Sequence, residues 1–403
     1  MTLSPRRFAR RGSFWASAAV LALCLWSSGA PSVLYPTYAG EWHLSSIVIT
    51  TVFATYPVAL LIGLLLFGNI SDAIGRRRAM LIGITLIFVS GALFVFALDV
   101  GWLYVGRVLQ GAGTAFALGA ASASLVENNT SSNPRLASSL TTASTALGLT
   151  LALIVSGTLA QYAPWPEQLS FIVLSVLSVV VFAAVYLMPQ AAPDARAAWR
   201  PQSIRVPRGS VRVFVLATLA VSLAFAVGSV FLSLGSSFAK DLTGTTNLLV
   251  IGALLAVSSI MIGTTAIVLQ RIHAHLAVIV GAIITVAGLA LLELVASSGS
   301  VALVLIWCVV GGIGYSLAFM GGLQLIGRVT APEHRGATLS TLYLFAYVFQ
   351  AATSVGAGVL ATGLGLAASV DVVAPLVAIL AVVVGVLGLV DWRIRARAGV
   401  VLA

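Results

Sequence analysis

Charge is what this sequence has least of. Asp, Glu, Lys and Arg make up 8% of its 403 residues, whereas a water-soluble domain carries about 25%. Hydrophobic residues make up 60%, and the mean hydropathy is +1.09. A soluble fold of this length would lack the polar surface to stay in water, which leaves a polytopic membrane protein. Cysteine is nearly missing too. Cys24 and Cys308 both sit in apolar runs. That excludes a disulfide framework and metal-ligand spacing and leaves small packing residues. There is no G-x-x-x-x-G-K-[ST] loop, which excludes a self-contained ATP-driven pump, and no cofactor is expected. No nucleophile–base set or cluster of metal ligands marks either membrane face. The longest polar stretch is residues 190–209. A polytopic membrane enzyme or receptor is therefore only a remote alternative.

The net charge is +10. Its distribution excludes a nucleic-acid partner, because the arginines fall in short clusters between apolar runs with no aromatic-interleaved basic face. That distribution is how membrane topology is written. A span needs roughly 20 apolar residues. The chain divides into twelve: 14–38, 45–67, 79–98, 101–126, 136–160, 168–188, 210–236, 244–269, 276–296, 300–326, 336–363 and 368–390. With the N-terminus inside, 19 of the 21 basic residues lie in inner segments. Lys240 alone lies in an outer loop, and Arg107 lies within a span. Arg6, Arg7, Arg10 and Arg11 before an apolar run, with Ser28-Gly29-Ala30 after it, could read as a secretory signal. The run is too long for one, so an uncleaved first helix is expected.

The expected fold class is an all-α membrane protein, with twelve transmembrane helices in two six-helix bundles and both termini cytoplasmic. The divisions are a basic N-terminus 1–13, a first bundle 14–189, a linker 190–209, a second bundle 210–391 and a tail 392–403. The linker carries Pro193, Pro201, Pro207 and four arginines. The halves echo each other at an offset of 200 residues. Arg135-Leu136-Ala137-Ser138-Ser139-Leu140-Thr141 parallels Arg335-Gly336-Ala337-Thr338-Leu339-Ser340-Thr341, and Gly111 pairs with Gly311.

Two segments carry motifs. Gly68-Asn69-Ile70-Ser71-Asp72-Ala73-Ile74-Gly75-Arg76-Arg77-Arg78 joins spans 2 and 3. Glycines at each end allow a tight turn or a close backbone approach. Positive-inside topology would explain Arg76, Arg77 and Arg78 but not Asp72. The second segment is Leu103-Tyr104-Val105-Gly106-Arg107-Val108-Leu109-Gln110-Gly111-Ala112-Gly113 in span 4. A charge deep in a span costs roughly 2.5–3.5 kcal/mol on insertion scales. Such a residue either meets a cavity or partner or snorkels outward. Gly101 lies only about 9 Å away along a helix, so snorkelling to the outer interface is the competing expectation.

The first segment resembles the loop between helices 2 and 3 of the major facilitator superfamily, G-x-L-x-D-x-x-G-R-R/K. Gly68, Asp72, Gly75, Arg76 and Arg77 match, and Ile70 replaces Leu. The resemblance implies a conformational gate at these residues. The second segment resembles the superfamily's next motif, with Arg107, Gln110 and Gly111 in register. It implies that Arg107 faces the central cavity near helix 1 and takes part in proton coupling. It also implies cavity-lining helices 1, 2, 7, 10 and 11. On these lie Trp26, Tyr35, Tyr56, Phe231, Tyr315, Gln324, Tyr347 and Gln350. Helix 5 departs from the antiporter pattern. Ala152-Leu153 stand where a Gly-Pro pair is expected.

Pro31, Pro36 and Pro57 are expected to break helices 1 and 2. Glu41, Glu127, Glu167, Glu293 and Asp371 read as solvated helix-end charges, and His273 and His275 as solvated loop residues. No metal site is expected. The resulting expectation is a monomeric secondary transporter in the lipid bilayer of the bacterial inner membrane. It moves a small-molecule substrate by alternating access, with a proton as coupling ion and efflux as direction. A facilitative or importing carrier is the alternative.

Overall fold

The computed structural model describes residues 10–131, 135–189, 206, 211–298, 300–330 and 335–397. Arg6, Arg7, the linker arginines Arg196, Arg200, Arg205 and Arg208, and residues 398–403 of the tail lie outside the described residues, as do the side chains of Arg135 and Arg335.

The described residues form helices and no strand. In hydrocarbon every backbone polar group must be satisfied within its own segment, and a helix does this. The order is α1 (Arg10–Gly29), a 3-10 turn (Ala30–Val33), α2 (Tyr35–Glu41), α3 (Ser46–Phe67), α4 (Ile70–Ile74), α5 (Arg76–Val95), α6 (Val100–Glu127) and α7 (Arg135–Tyr162). Then follow α8 (Leu169–Tyr186), α9 (Val211–Thr243), α10 (Leu248–Val268), α11 (Ala274–Ser298), α12 (Val301–Val329), α13 (Arg335–Leu364) and α14 (Leu366–Arg397). Twelve of these are long and apolar enough to cross a membrane, as the hydropathy pattern predicts. Side-chain caps close two of them. Asp99 accepts from the Gly101 amide at α6, and Asn247 accepts from Leu249 and Val250 at α10.

The described residues fall into two compact units. One contains residues up to Leu34 and Thr55–Gln202, and the other Tyr35–Ala54 and Ser203 onward. Helix α3 therefore runs from one unit into the other. In the first unit α1 packs on α6 and α7, and α5 on α6 and α8. In the second, α9 packs on α12 and α13, and α11 on α12 and α14. The same span-to-span pattern occurs twice, as the sequence echo predicts. Helices α7 and α13 begin at the paired Arg135 and Arg335.

Two expectations need correction. The glycine partner of Gly111 is Gly312, not Gly311. A Cβ on Gly111 would lie 2.5 Å from the Tyr56 carbonyl oxygen, and one on Gly312 would lie 2.6 Å from the Ser258 carbonyl oxygen. Gly311 has open space around it. Both true partners let the fourth span of a unit touch the backbone of its second. Pro57 does not break its helix, because α3 continues through it. The break in helix 1 is real and falls at Ala30–Val33, where Pro31 opens the 3-10 turn.

Candidate functional site

Three groups of side chains carry polar or aromatic chemistry. The first surrounds Arg107. Arg107, Gln110 and Thr114 are spaced on one face of α6, and their exposures are 0%, 0% and 1%. Arg107 Nη1 donates to the Ser28 carbonyl at 3.0 Å and to Gln110 Oε1 at 3.0 Å. The guanidinium lies over the Tyr56 ring, 5.0 Å from its centroid, a cation–π arrangement. Snorkelling is thus overturned, since Arg107 is fully buried and directed at α1 and α3. Ser28 lies in the last turn of α1, just before the 3-10 turn that contains Pro31. Gln110 is oriented by its bond to Arg107. Its Oε1 faces the guanidinium, so Nε2 points away, and that nitrogen finds no acceptor.

The second group is aromatic and belongs to the second unit. Phe225 on α9 is its hub, with ring centroids 4.9 Å from Tyr347, 5.8 Å from Phe319 and 6.4 Å from Tyr343. Tyr315 stacks on Phe319 at 6.0 Å and Tyr343 meets Tyr347 at 6.1 Å. Gly228 makes room for Tyr315, whose ring would lie 2.8 Å from a Cβ there. The structure so brings together Tyr315 and Tyr347 among the residues predicted from sequence. Phe231 is elsewhere, paired with Trp307 at 5.3 Å. Gln324 and Gln350 are half-buried, and the Gln350 Oε1 has no donor. Tyr35 at the start of α2 is 1% exposed, and Trp26 on α1 is buried with its Nε1 unpartnered. Phe225, Phe319 and Tyr343 were missed. The i, i+4 spacing of Tyr315 with Phe319 and of Tyr343 with Tyr347 was the available signal.

The third group is the Asp72 loop. Asp72 sits in the single turn of α4, and Arg76 opens α5. Gly75 joins them with φ 92°, a left-handed conformation that favours glycine. Gly68 has no positive φ, so only one of the two glycines is required by backbone conformation. Arg76 pairs with Asp72, donates to Ser71 Oγ, and reaches Glu127 Oε1 through Nε at 3.2 Å. Glu127 is thus an exposed helix-end charge, as expected, that also pairs with Arg76. Arg77 donates to the Tyr186 carbonyl and lies over the Tyr186 ring at 4.9 Å, tying α5 to α8. These pairs are surface ones, with Asp72 and Glu127 side chains 48% and 53% exposed. Each contributes at most about 1 kcal/mol.

One further correction concerns the histidines. His273 is exposed, but His275 is only 6% exposed and bonds to Asp391.

The family model of the Major Facilitator Superfamily matches residues 14–278. Among curated relatives, the uncharacterized MFS-type transporter EfpA of Mycobacterium tuberculosis is 33% identical over 135 residues, which is 32% of this chain and 24% of that protein. The vesicular acetylcholine transporter of Rattus norvegicus is 29% identical over 204 residues, 49% of this chain and 36% of that protein. The matches thus span well under half the length of these relatives. Among solved structures, the POT family transporter PepTSo has a TM-score of 0.75 at 14% identity and covers 97% of this chain and 98% of its own. A bacterial homolog of the human lysosomal transporter Spinster, in an inward-facing and unoccupied conformation, has a TM-score of 0.72 at 12% identity, covering 94% and 97%. At these identities the structural likeness carries the fold.

Proposed function

The chain belongs to the Major Facilitator Superfamily, a family of transporters and not of enzymes, and from that premise we propose that it exports a small, largely apolar or aromatic organic molecule by alternating access, coupled to protons. It is a multi-pass membrane protein. Its membrane is the bacterial inner membrane, with the N-terminus, the linker 190–209 and the C-terminus cytoplasmic. The positive-inside distribution supports that orientation. The first and second bundles, 14–189 and 210–391, are the two repeats whose relative motion gives alternating access. The protein acts as a monomer.

The observation that carries the substrate class is the aromatic cluster of Phe225, Tyr315, Phe319, Tyr343 and Tyr347, which contains no charged member. Flat ring faces suit an apolar or aromatic solute. The name of one relative, a vesicular acetylcholine transporter, supports a small organic solute. Arg107 and Gln110 supply the coupling charge, and the Asp72 loop with Arg76 and Arg77 supplies the gate. Arg107 supports coupling because a fully buried guanidinium held by a carbonyl, an amide and a ring has no reason to exist for topology alone.

A second reading has its own observation. Helix α7 runs unbroken from Arg135 to Tyr162, with Ala152 and Leu153 both 0% exposed where antiporters carry Gly-Pro. That favours a facilitative or importing carrier. Everted membrane vesicles and a panel of fluorescent aromatic dyes separate the two. Proton-coupled export gives dye accumulation that rises with an imposed pH gradient and collapses when the gradient is dissipated. Gradient-independent equilibration establishes the facilitative reading instead.

A further inference from the structure

Apart from Arg107, the buried acidic, basic or imidazole side chains among the described residues are His275 and Asp391, 6% and 7% exposed. They belong to the second unit and form one cluster. His275 Nε2 lies 2.9 Å from Asp391 Oδ2. Arg395, one turn beyond Asp391, places Nε 2.8 Å from the same oxygen. His275 is in the first turn of α11 and Asp391 is near the end of α14. The positive end of the α11 dipole therefore favours the carboxylate and, by the same sign, opposes a charge on His275, so the carboxylate contact has to outweigh it. One turn inward the helices stay close, and a Cβ on Gly388 would lie 3.1 Å from Ile279 Cγ1.

The first unit solves the same problem without a titratable group. Its third and sixth spans, α5 and α8, are tied at the corresponding end by Arg77 on the Tyr186 carbonyl and ring. A guanidinium stays charged at every physiological pH. In the second unit the tie between the ninth and twelfth spans passes through an imidazole. Histidine is the side chain whose charge changes between about pH 5 and 8.

We propose that His275, Asp391 and Arg395 form a proton-binding site that clasps α11 to α14 and tightens when His275 takes up a proton. The contact at Oδ2 requires a proton on Nε2, because a bare lone pair there would face a carboxylate. Adding the second proton, on Nδ1, leaves that bond in place and puts a positive charge on a donor that already faces an ionised acceptor, which strengthens it further. The groups at this end of the elements packed on His275 are Arg212 on α9, Arg328 on α12, Arg393 and Arg397 on α14, and Arg271 and His273 beside α11. All are exposed, so solvent screens the repulsion of an imidazolium by the arginines. Asp241, Glu293 and Asp371 sit at the opposite ends of α9, α11 and α14. Among the described residues, Asp391 is thus the carboxylate that answers His275. The clasp holds whether or not protons drive transport, because its ligand comes from bulk water.

The test is a spin-label distance between Leu276→Cys and Ile394→Cys, both exposed positions at the clasp. Full-length protein is placed in lipid nanodiscs at about pH 5.5 and about pH 8, either side of the histidine range. Cys24 and Cys308 are buried and stay in place. Wild type should give one narrow distance in acid and a broadened distribution with a longer component at high pH. His275→Gln keeps an N–H donor near Asp391 but cannot titrate, so its distribution should not change with pH. Asp391→Asn should be broad at both. A wild-type distribution identical at the two pH values overturns the proposal. So does a pH response that survives His275→Gln, which would assign the proton to another group. Because His275→Gln retains the hydrogen bond, it tests the titration without removing the contact.

Discussion

Gly358 on α13 is the position where one added methyl group should change the protein most informatively. A Cβ there would lie 1.9 Å from Thr50 Oγ1, 2.9 Å from Thr50 Cβ and 3.0 Å from the Ser46 carbonyl oxygen. The first distance is 1.5 Å short of the 3.4 Å at which ordinary contact begins. Thr50 could rotate its hydroxyl away, losing its bond to the Ile47 carbonyl at 3.1 Å, but its Cβ and the Ser46 backbone would remain too close. Two polar contacts hold the same seam. Ile47 N donates to Thr362 Oγ1 at 2.9 Å, and Ser354 Oγ approaches the Thr50 carbonyl at 3.5 Å. Overpacking of this kind costs about 1–3 kcal/mol. Gly358→Ala should shift the balance between closed and parted seam about five- to a hundred-and-fiftyfold toward parted, at about 1.4 kcal/mol per factor of ten. The assay is the rate at which a water-soluble maleimide labels Ser354→Cys, a position 0% exposed in the closed seam. The rate should rise by the same factor, and adding Thr50→Ala should partly reverse it. An unchanged labelling rate in Gly358→Ala would refute the claim that this seam opens as a unit.

The remaining predictions concern the candidate site. Arg107→Leu should abolish transport in the vesicle assay and also cost about 1–3 kcal/mol of stability, because the buried Ser28 carbonyl and Gln110 Oε1 lose their donor. Arg107→Lys should keep no more than about a tenth of the activity, since an ammonium cannot lie flat on Tyr56 while reaching both acceptors; full activity in either variant removes Arg107 from the mechanism. Asp72→Asn should alter stability by under about 1 kcal/mol, given its exposure, yet shift the conformer ratio by up to about fivefold, read by labelling of single cysteines on each face. A normal transport rate together with an unshifted ratio would reduce the loop to topology. Phe225→Leu should cost under about 1.5 kcal/mol of stability but raise the apparent KM about fivefold through lost ring contacts; an unchanged KM with every dye that is transported would place the substrate elsewhere.

How much of this was legible depended on whether the information was local. The spans were, because a bilayer demands roughly 20 apolar residues whatever the neighbours are. Arg107 stood out for the same reason, as a charge in an apolar run. What it binds did not. The Ser28 carbonyl is on another helix, 79 positions away, and no local signal marks it as the partner. Gly311 and Gly312 are adjacent, and register alone decides which one meets the Ser258 backbone. The aromatic hub Phe225 was hidden because one ring in an apolar helix looks like packing until its neighbours are known.

The His275–Asp391 pair shows how small boundary errors conceal a site. The sequence pattern starts the ninth span at residue 276, one position after His275, whereas α11 begins at Ala274. It ends the twelfth span at residue 390, one position before Asp391, whereas α14 runs to Arg397. Both residues were thereby assigned to water by a margin of one residue, and boundaries are the least reliable part of such a reading. Hydropathy cannot repair this, since a charged residue lowers the local score and pushes the predicted edge away from itself. A buried ion pair at a helix end is therefore excluded from a span by the very property that makes it worth finding. The remedy is to extend each helix by a turn past its hydropathy edge and ask which opposite charges then share a face with a neighbouring helix. Here that extension brings in Arg76 with Glu127 at the end of α6, and His275 with Asp391 at the end of α14. One is an exposed pair of permanent charges and the other a buried pair with a titratable member. That difference makes the second the better candidate for a response to protons.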